Sequence, residues 1–154
     1  MAGARPDAGA RGEPSLLELS RATRRKPKGN FRNYKVWQDA VEYSVKIYQQ
    51  TDKMPWFEKK GLCDQLQRAS VSIGSNIAEG SAKPSNADFA RFLDTALGST
   101  YEVETQLLIA NKVGYIKDDT YQELLNDLIE IEPTEQREQN GARSSYAESR
   151  RRKA

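Results

Sequence analysis

Apolar residues in this chain cluster between Phe31 and Ile131 and recur there at spacings of three and four. That period puts them on one side of an α-helix, and it predicts four helices. The first runs from about Asn33, its N-cap, to Thr51, with Trp37, Ala40, Val41, Ser44, Ile47 and Tyr48 on one face. Met54-Pro55 lies just beyond its end. The second runs from about Phe57 to Gly80 on a stripe of Leu62, Leu66, Ala69, Ile73 and Ile77, with Gly80 and Pro84 punctuating its end. Gly74 falls in its middle, where glycine costs up to ~1 kcal/mol relative to alanine, and so predicts a bend or a close helix contact.

The third segment opens on Ser85 with Asp88 three residues later, a variant of the capping box. Phe89, Phe92, Leu93, Ala96, Ser99, Thr100, Val103, Leu107 and Ala110 then hold helical spacing up to a predicted C-cap at Gly114. Small residues at Ala96, Gly98 and Ser99 predict close approach of a neighbouring helix. The fourth helix begins near Asp118 or Asp119, carries Tyr121, Leu124, Leu125, Leu128 and Ile131, and stops at Pro133. No strand-like alternation competes with these assignments. Connections at 52–57, 81–84 and 114–118 are too short to cross a bundle, so consecutive helices reverse direction. The predicted fold is all-α, an antiparallel up-down-up-down four-helix bundle.

The two ends are of another kind. Residues 1–30 are rich in glycine, proline and basic residues, and only Ser15 to Thr23, with Leu16, Leu17 and Leu19, has the pattern of a short amphipathic helix. Residues 133–154 contain one aromatic and no Val, Ile or Leu. Both are expected to be disordered, leaving 31–132 as the single bundle domain. They also divide the charge. The formal total of +2 conceals net +4 over 1–29, net −5 over 30–132 and net +3 over 133–154. An acidic body thus lies between two basic ends, a plausible handle for a polyanion. The candidate nucleic-acid contacts are Arg24, Arg25, Lys26 and Lys28 on one side and Arg150, Arg151, Arg152 and Lys153 on the other.

Candidate catalytic chemistry is sparse. There is no histidine, which removes the commonest general base and nitrogen ligand. Cys63 is the lone cysteine, so no internal disulfide forms, and Leu62 and Leu66 beside it suggest a packed thiol. Residues 61–67 are not a phosphate loop, and the Glu-x-x-His motifs of a di-iron bundle are missing. A non-enzymatic protein without metal or cofactor is expected. The chain has no run of 18 apolar residues and no secretory leader pattern, which points to a cytoplasmic protein without a membrane span.

The densest group of unusual residues lies in the second helix. Ser72, Asn76 and Glu79 share one face beside the apolar stripe, with Arg68 one turn before them. Two readings stand: a polar network tying helix 2 to Glu104 or Thr105 on helix 3, or a recognition surface.

The strings FRNYKVWQ (31–38), RASVSIGSNIAEG (68–80), DFARFLDTALGS (88–99) and EVETQLLIA (102–110) resemble, in order and spacing, the four-helix-bundle family of proteins encoded in intervening sequences of 23S ribosomal RNA genes. That family is related to the accessory variability determinant proteins of diversity-generating retroelements. The resemblance implies an antiparallel bundle that assembles into a homo-oligomeric ring, typically a pentamer. In the retroelement relatives the ring is basic and binds a reverse transcriptase and structured RNA. This chain departs from the pattern in three places: glycine stands at 74 where members usually carry proline, the body is acidic, and the fourth helix stops early. The function expected is a self-assembling bundle that binds RNA or an RNA-protein partner. A protein-interaction scaffold, or a degenerate member with an incomplete fourth helix, remains open.

Overall fold

A computed structural model describes residues 29–131, and among them all regular structure is helical. The expected segments 1–30 and 133–154, the amphipathic stretch at Ser15 to Thr23 and the stop at Pro133 lie outside the described residues, apart from Gly29 and Asn30. Helices α1 (Lys35–Thr51), α2 (Leu62–Ser81), α3 (Asn86–Lys112) and α4 (Asp118–Ile131) follow one another, with 3-10 turns at Phe31–Asn33 and Trp56–Glu58. Helix α2 packs on α1 and α3, and α4 closes the bundle against α3 and α1.

Helix starts and stops follow from their end groups. Ser85 Oγ caps α3 by accepting a hydrogen bond from the Asp88 amide at 3.1 Å, and its hydroxyl donates to Asp88 Oδ2 at 2.7 Å. Asp88 thus meets the Ser85 side chain and not its backbone N–H, which leaves half of the expected box. At the other end of α3 Gly114 adopts φ +87°. The Tyr115 amide donates to Ala110 O at 2.9 Å and the Gly114 amide to Asn111 O at 3.0 Å, the two bonds of a Schellman motif. Ile116, 2% exposed, then turns into the core.

Helix α1 departs from expectation at its start. Asn33 is not the N-cap. The N-cap position is Tyr34, which makes no side-chain capping bond. Asn30 caps the preceding 3-10 turn, accepting from the Arg32 amide at 3.1 Å, and Asn33 is the last residue of that turn. The buried face is also turned. Val36, Ala40, Tyr43, Ile47 and Thr51 are inside, Trp37 is half-buried, and Val41 and Tyr48 are exposed. The physical reason is that α1 carries two overlapping apolar stripes, and periodicity alone does not choose between them. Tyr43 decides the matter, because its hydroxyl donates to Leu124 O on α4 at 3.0 Å. Lys46 reinforces the same seam through Asp127 at 2.8 Å, an exposed pair worth at most about 1 kcal/mol.

The core of α2 and α3 follows the predicted stripes. Leu66, Ala69, Ile73 and Ile77 meet Phe89, Leu93, Ala96, Val103 and Leu107, all nearly or wholly buried. Leu62, Phe92, Tyr121 and Leu125 stand half-buried at the edges. Gly80 does not end α2. It is buried inside the helix, whose C-cap is Ala82, and a Cβ there would lie 2.7 Å from Phe92 Cβ. Gly98, by contrast, faces open space, so the close approach expected of it falls to Ala96 and Ser99 alone.

Gly74 marks a helix contact within an unbroken α2. An added Cβ would meet Ala40 Cβ at 3.7 Å and Val41 Cγ2 at 3.9 Å, ordinary van der Waals distances. Gly74→Ala should therefore stabilise the bundle by about 0.5–1 kcal/mol through helix propensity. A urea titration showing a higher midpoint at unchanged slope checks this.

Candidate functional site

The polar residues of α2 form a smaller network than their spacing predicts. Asn76 Nδ2 donates to Ser72 O at 2.8 Å and to Ser72 Oγ at 2.9 Å. The Ser99 hydroxyl of α3 meets Ser72 Oγ at 2.9 Å. These three half-buried or buried side chains satisfy one another across the α2–α3 seam, as polar groups in such a place must. The partner expected on α3 was Glu104 or Thr105, and neither is used. Thr105 Oγ1 bonds back to Tyr101 O at 2.8 Å. Glu104 is half-buried and acts on Tyr121 of α4. Arg68 and Glu79 are exposed, and Arg68 pairs with Asp64 on its own helix at 2.9 Å. Ser72 and Asn76 are thus brought together, while Arg68, Glu79 and Glu104 lie apart from them. The proposed contacts Arg24, Arg25, Lys26, Lys28, Arg150, Arg151, Arg152 and Lys153 all lie outside the described residues.

A second concentration of polar and aromatic groups lies at the end of the bundle where α1 turns into α2. A groove of about 460 Å³ opens there, lined by Tyr48, Thr51, Met54, Trp56, Lys59 and Gln67 among others. Gln67 Nε2 donates to Thr51 Oγ1 at 2.8 Å, and the Thr51 hydroxyl donates to Tyr48 O at 3.1 Å, so the wall is tied. Glu58 Oε2 accepts from the Leu62 amide at 3.1 Å and thereby caps α2. Its other oxygen accepts from the Tyr115 hydroxyl at 3.0 Å. Trp56, Phe57 and Tyr115 form an edge-to-face row, with centroids 6.1 and 6.3 Å apart. Trp56 is 85% exposed. Helical periodicity gives no notice of this turn, which carries no such period. The available signal is an aromatic pair after Pro55, outside every apolar stripe, with lysines on both sides.

Cys63, beneath the same groove, is 4% exposed, and burial first and the Glu58 carboxylate second push its thiol up. It is a packed thiol with little thiolate at neutral pH. Burial likewise raises the Tyr34, Tyr115 and Tyr121 hydroxyls, helped at Tyr115 by Glu58 and at Tyr121 by Glu104. The hydrogen bond to Asp127 raises Lys46. Every displaced group among the described residues is displaced upward. The folded chain therefore keeps protons that the unfolded chain releases as pH climbs, and stability present below the ordinary values is lost through the raised ones. With no histidine in the chain, the unfolding temperature should be flat from about pH 6 to 8 and fall above about pH 10. A thermal melt series across that range tests it.

An antiparallel four-helix bundle, sealed by a serine-asparagine seam and carrying an aromatic turn at one end, defines the class of protein. The chain belongs to the 23S rRNA-intervening sequence protein family, whose profile matches residues 32–134. It is similar to a crystal structure of a protein with unknown function from the S23 ribosomal protein family of Bacteroides thetaiotaomicron VPI-5482. The two share 32% identity over 62% of this chain and 90% of that one, with a TM-score of 0.58. Among curated proteins, none matches the chain. No helix among the described residues is long and apolar enough to cross a membrane.

Proposed function

We propose that this protein is a non-enzymatic bundle that assembles with copies of itself and binds RNA or an RNA-protein partner. The observation that carries this reading is the division of charge, with basic clusters at residues 24–28 and 150–153 on either side of a body of net −5. A net acidic body repels phosphates overall, so the basic ends supply most of the electrostatic attraction. Family membership supports the reading, and an accessory role beside a retroelement reverse transcriptase is its most specific form. Self-assembly is supported by Val41, Val45 and Tyr48, which line one exposed stripe of α1, with Val71 exposed on neighbouring α2. A ring of copies, pentameric as the resemblance implies, would cover such a stripe.

Binding that rests on these clusters weakens steeply with salt, because each neutralised phosphate releases counterions. A filter-binding titration of structured RNA should give a negative slope of log affinity against log salt. Replacing Arg150, Arg151, Arg152 and Lys153 by alanine should flatten it by about 0.7–0.9 for each phosphate no longer neutralised. Absence of binding at low salt would remove the RNA reading and favour a protein scaffold, to which the acidic body also lends itself. Light scattering of the same preparation tests assembly, and a strictly monomeric particle rules out the ring.

A further inference from the structure

We propose that the α1–α2 turn is a stacking site for an unpaired base of single-stranded RNA, with Trp56 as the platform and Lys53, Lys59 and Lys60 meeting the flanking phosphates. This rests on the RNA reading above and gives it a location within the bundle. Non-sequence-specific single-strand sites combine exposed aromatic faces, on which any base stacks, with cations that follow the backbone. The turn supplies both. Trp56 is 85% and Phe57 61% exposed, more than the other large apolar side chains of the described residues, and Tyr48 and Trp56 line the same groove. Lys59 lines that groove too, and Lys53 and Lys60 are exposed within four residues of Trp56. Among the described residues none of these three lysines is held in an ion pair.

The two carboxylates of the turn do not cancel this. Glu58 is engaged at both oxygens, by the Leu62 amide and the Tyr115 hydroxyl. Both it and Asp52 keep their charge, so three lysines against two carboxylates leave a local net charge of +1 on an otherwise acidic body. A docked protein would also value an exposed tryptophan, but protein interfaces are depleted in lysine at their centres. Three lysines around the aromatic rim favour phosphates. The groove, about 460 Å³, has ample room for a base beside Trp56.

Trp56 provides its own reporter, since the chain has only one other tryptophan, Trp37, half-buried against Phe31 at 5.1 Å. The test titrates the full chain with an unstructured single-stranded RNA of about twelve nucleotides and with a blunt-ended RNA duplex. Single-stranded RNA should quench the tryptophan emission. Trp56→Ala should weaken that binding about 5- to 100-fold, Trp56→Phe should retain most of it, and duplex binding should be unchanged in both. Combined Lys59→Ala and Lys60→Ala should lower the single-strand salt slope by about 1.4. Because Trp56 lies outside the core, circular dichroism of the variants should match the parent. If single-stranded RNA binds Trp56→Ala as tightly as the parent, the stacking site is overturned while RNA binding stands. If Trp56→Ala instead lowers the particle mass and spares RNA affinity, the turn is an interface between copies and the proposal is equally overturned. If the parent binds neither RNA at low salt, both readings fall together.

Discussion

Leu128→Ala should cost the bundle about 2–5 kcal/mol, the range for emptying a fully buried leucine site. Leu128 has 0% exposure on the buried face of α4. That helix is held by few groups: Leu124, Leu128 and Ile131 in the core, Tyr43 on the Leu124 carbonyl and Lys46 on Asp127. Domain stabilities are typically about 5–15 kcal/mol, so the loss is a large share of the total. The damage should also be local. Helix α2 has long partners on both sides, whereas α4 is a 14-residue helix packed on α1 and α3. Native-state hydrogen exchange on the variant should show α4 amides losing protection well before those of α2 and α3. Leu125→Ala, three positions earlier and half-buried, should cost far less. Equal costs for the two would show that the face of α4 is misplaced.

Gly80→Ala should destabilise the fold by about 1–3 kcal/mol, the usual cost of an overpacked site. The same substitution at Gly74, six residues earlier on the same helix, should stabilise it. Helix propensity favours alanine at both places by up to ~1 kcal/mol, so contact geometry decides the sign. At Gly80 the new Cβ meets Phe92 Cβ at 2.7 Å and Phe89 Cδ2 at 3.2 Å. Phe92 Cβ is attached directly to backbone and cannot swing aside, so the helices must separate. In a domain of this size each kcal/mol moves the melting temperature by about 4–8 °C, so melts of the two variants should shift in opposite directions. A higher melting temperature for Gly80→Ala would mean that α2 and α3 cross less closely than described.

The contrast between these glycines shows what periodicity conveys and what it omits. The four helices are legible because apolar residues at three and four spacing have one economical arrangement, and α2 and α3 each carry a single stripe. The stop at Gly114 and the start at Ser85 are legible because both are local chemistry. The face of α1 is not, because Val36, Ala40, Tyr43 and Ile47 compete with Val41, Val45 and Tyr48, and only the distant Leu124 carbonyl separates the sets. Asn33 resembles a cap because two asparagines precede α1, and a 3-10 turn between them is not a periodic feature. In the candidate site, Ser72 and Asn76 are recognisable from i, i+4 spacing. Their partner is not, since Ser99 and Glu104 lie on different sides of α3 and the helix crossing selects between them. Trp56 and Phe57 fall outside every helical stripe, and their importance rests on exposure and on what surrounds them.

Both turns at the aromatic end are secured from within. Thr51 and Gln67 lock the approach from α1, Glu58 ties the start of α2 to Tyr115, and Asn111 Nδ2 holds Ile116 O at 3.0 Å and Asp118 Oδ1 at 2.8 Å where α3 passes into α4. A surface set in this way before its ligand arrives loses little conformational entropy on complex formation. Its association should therefore follow a single concentration-dependent phase governed by encounter, with ionic strength acting on the on-rate and the nature of the stacked base acting on residence time.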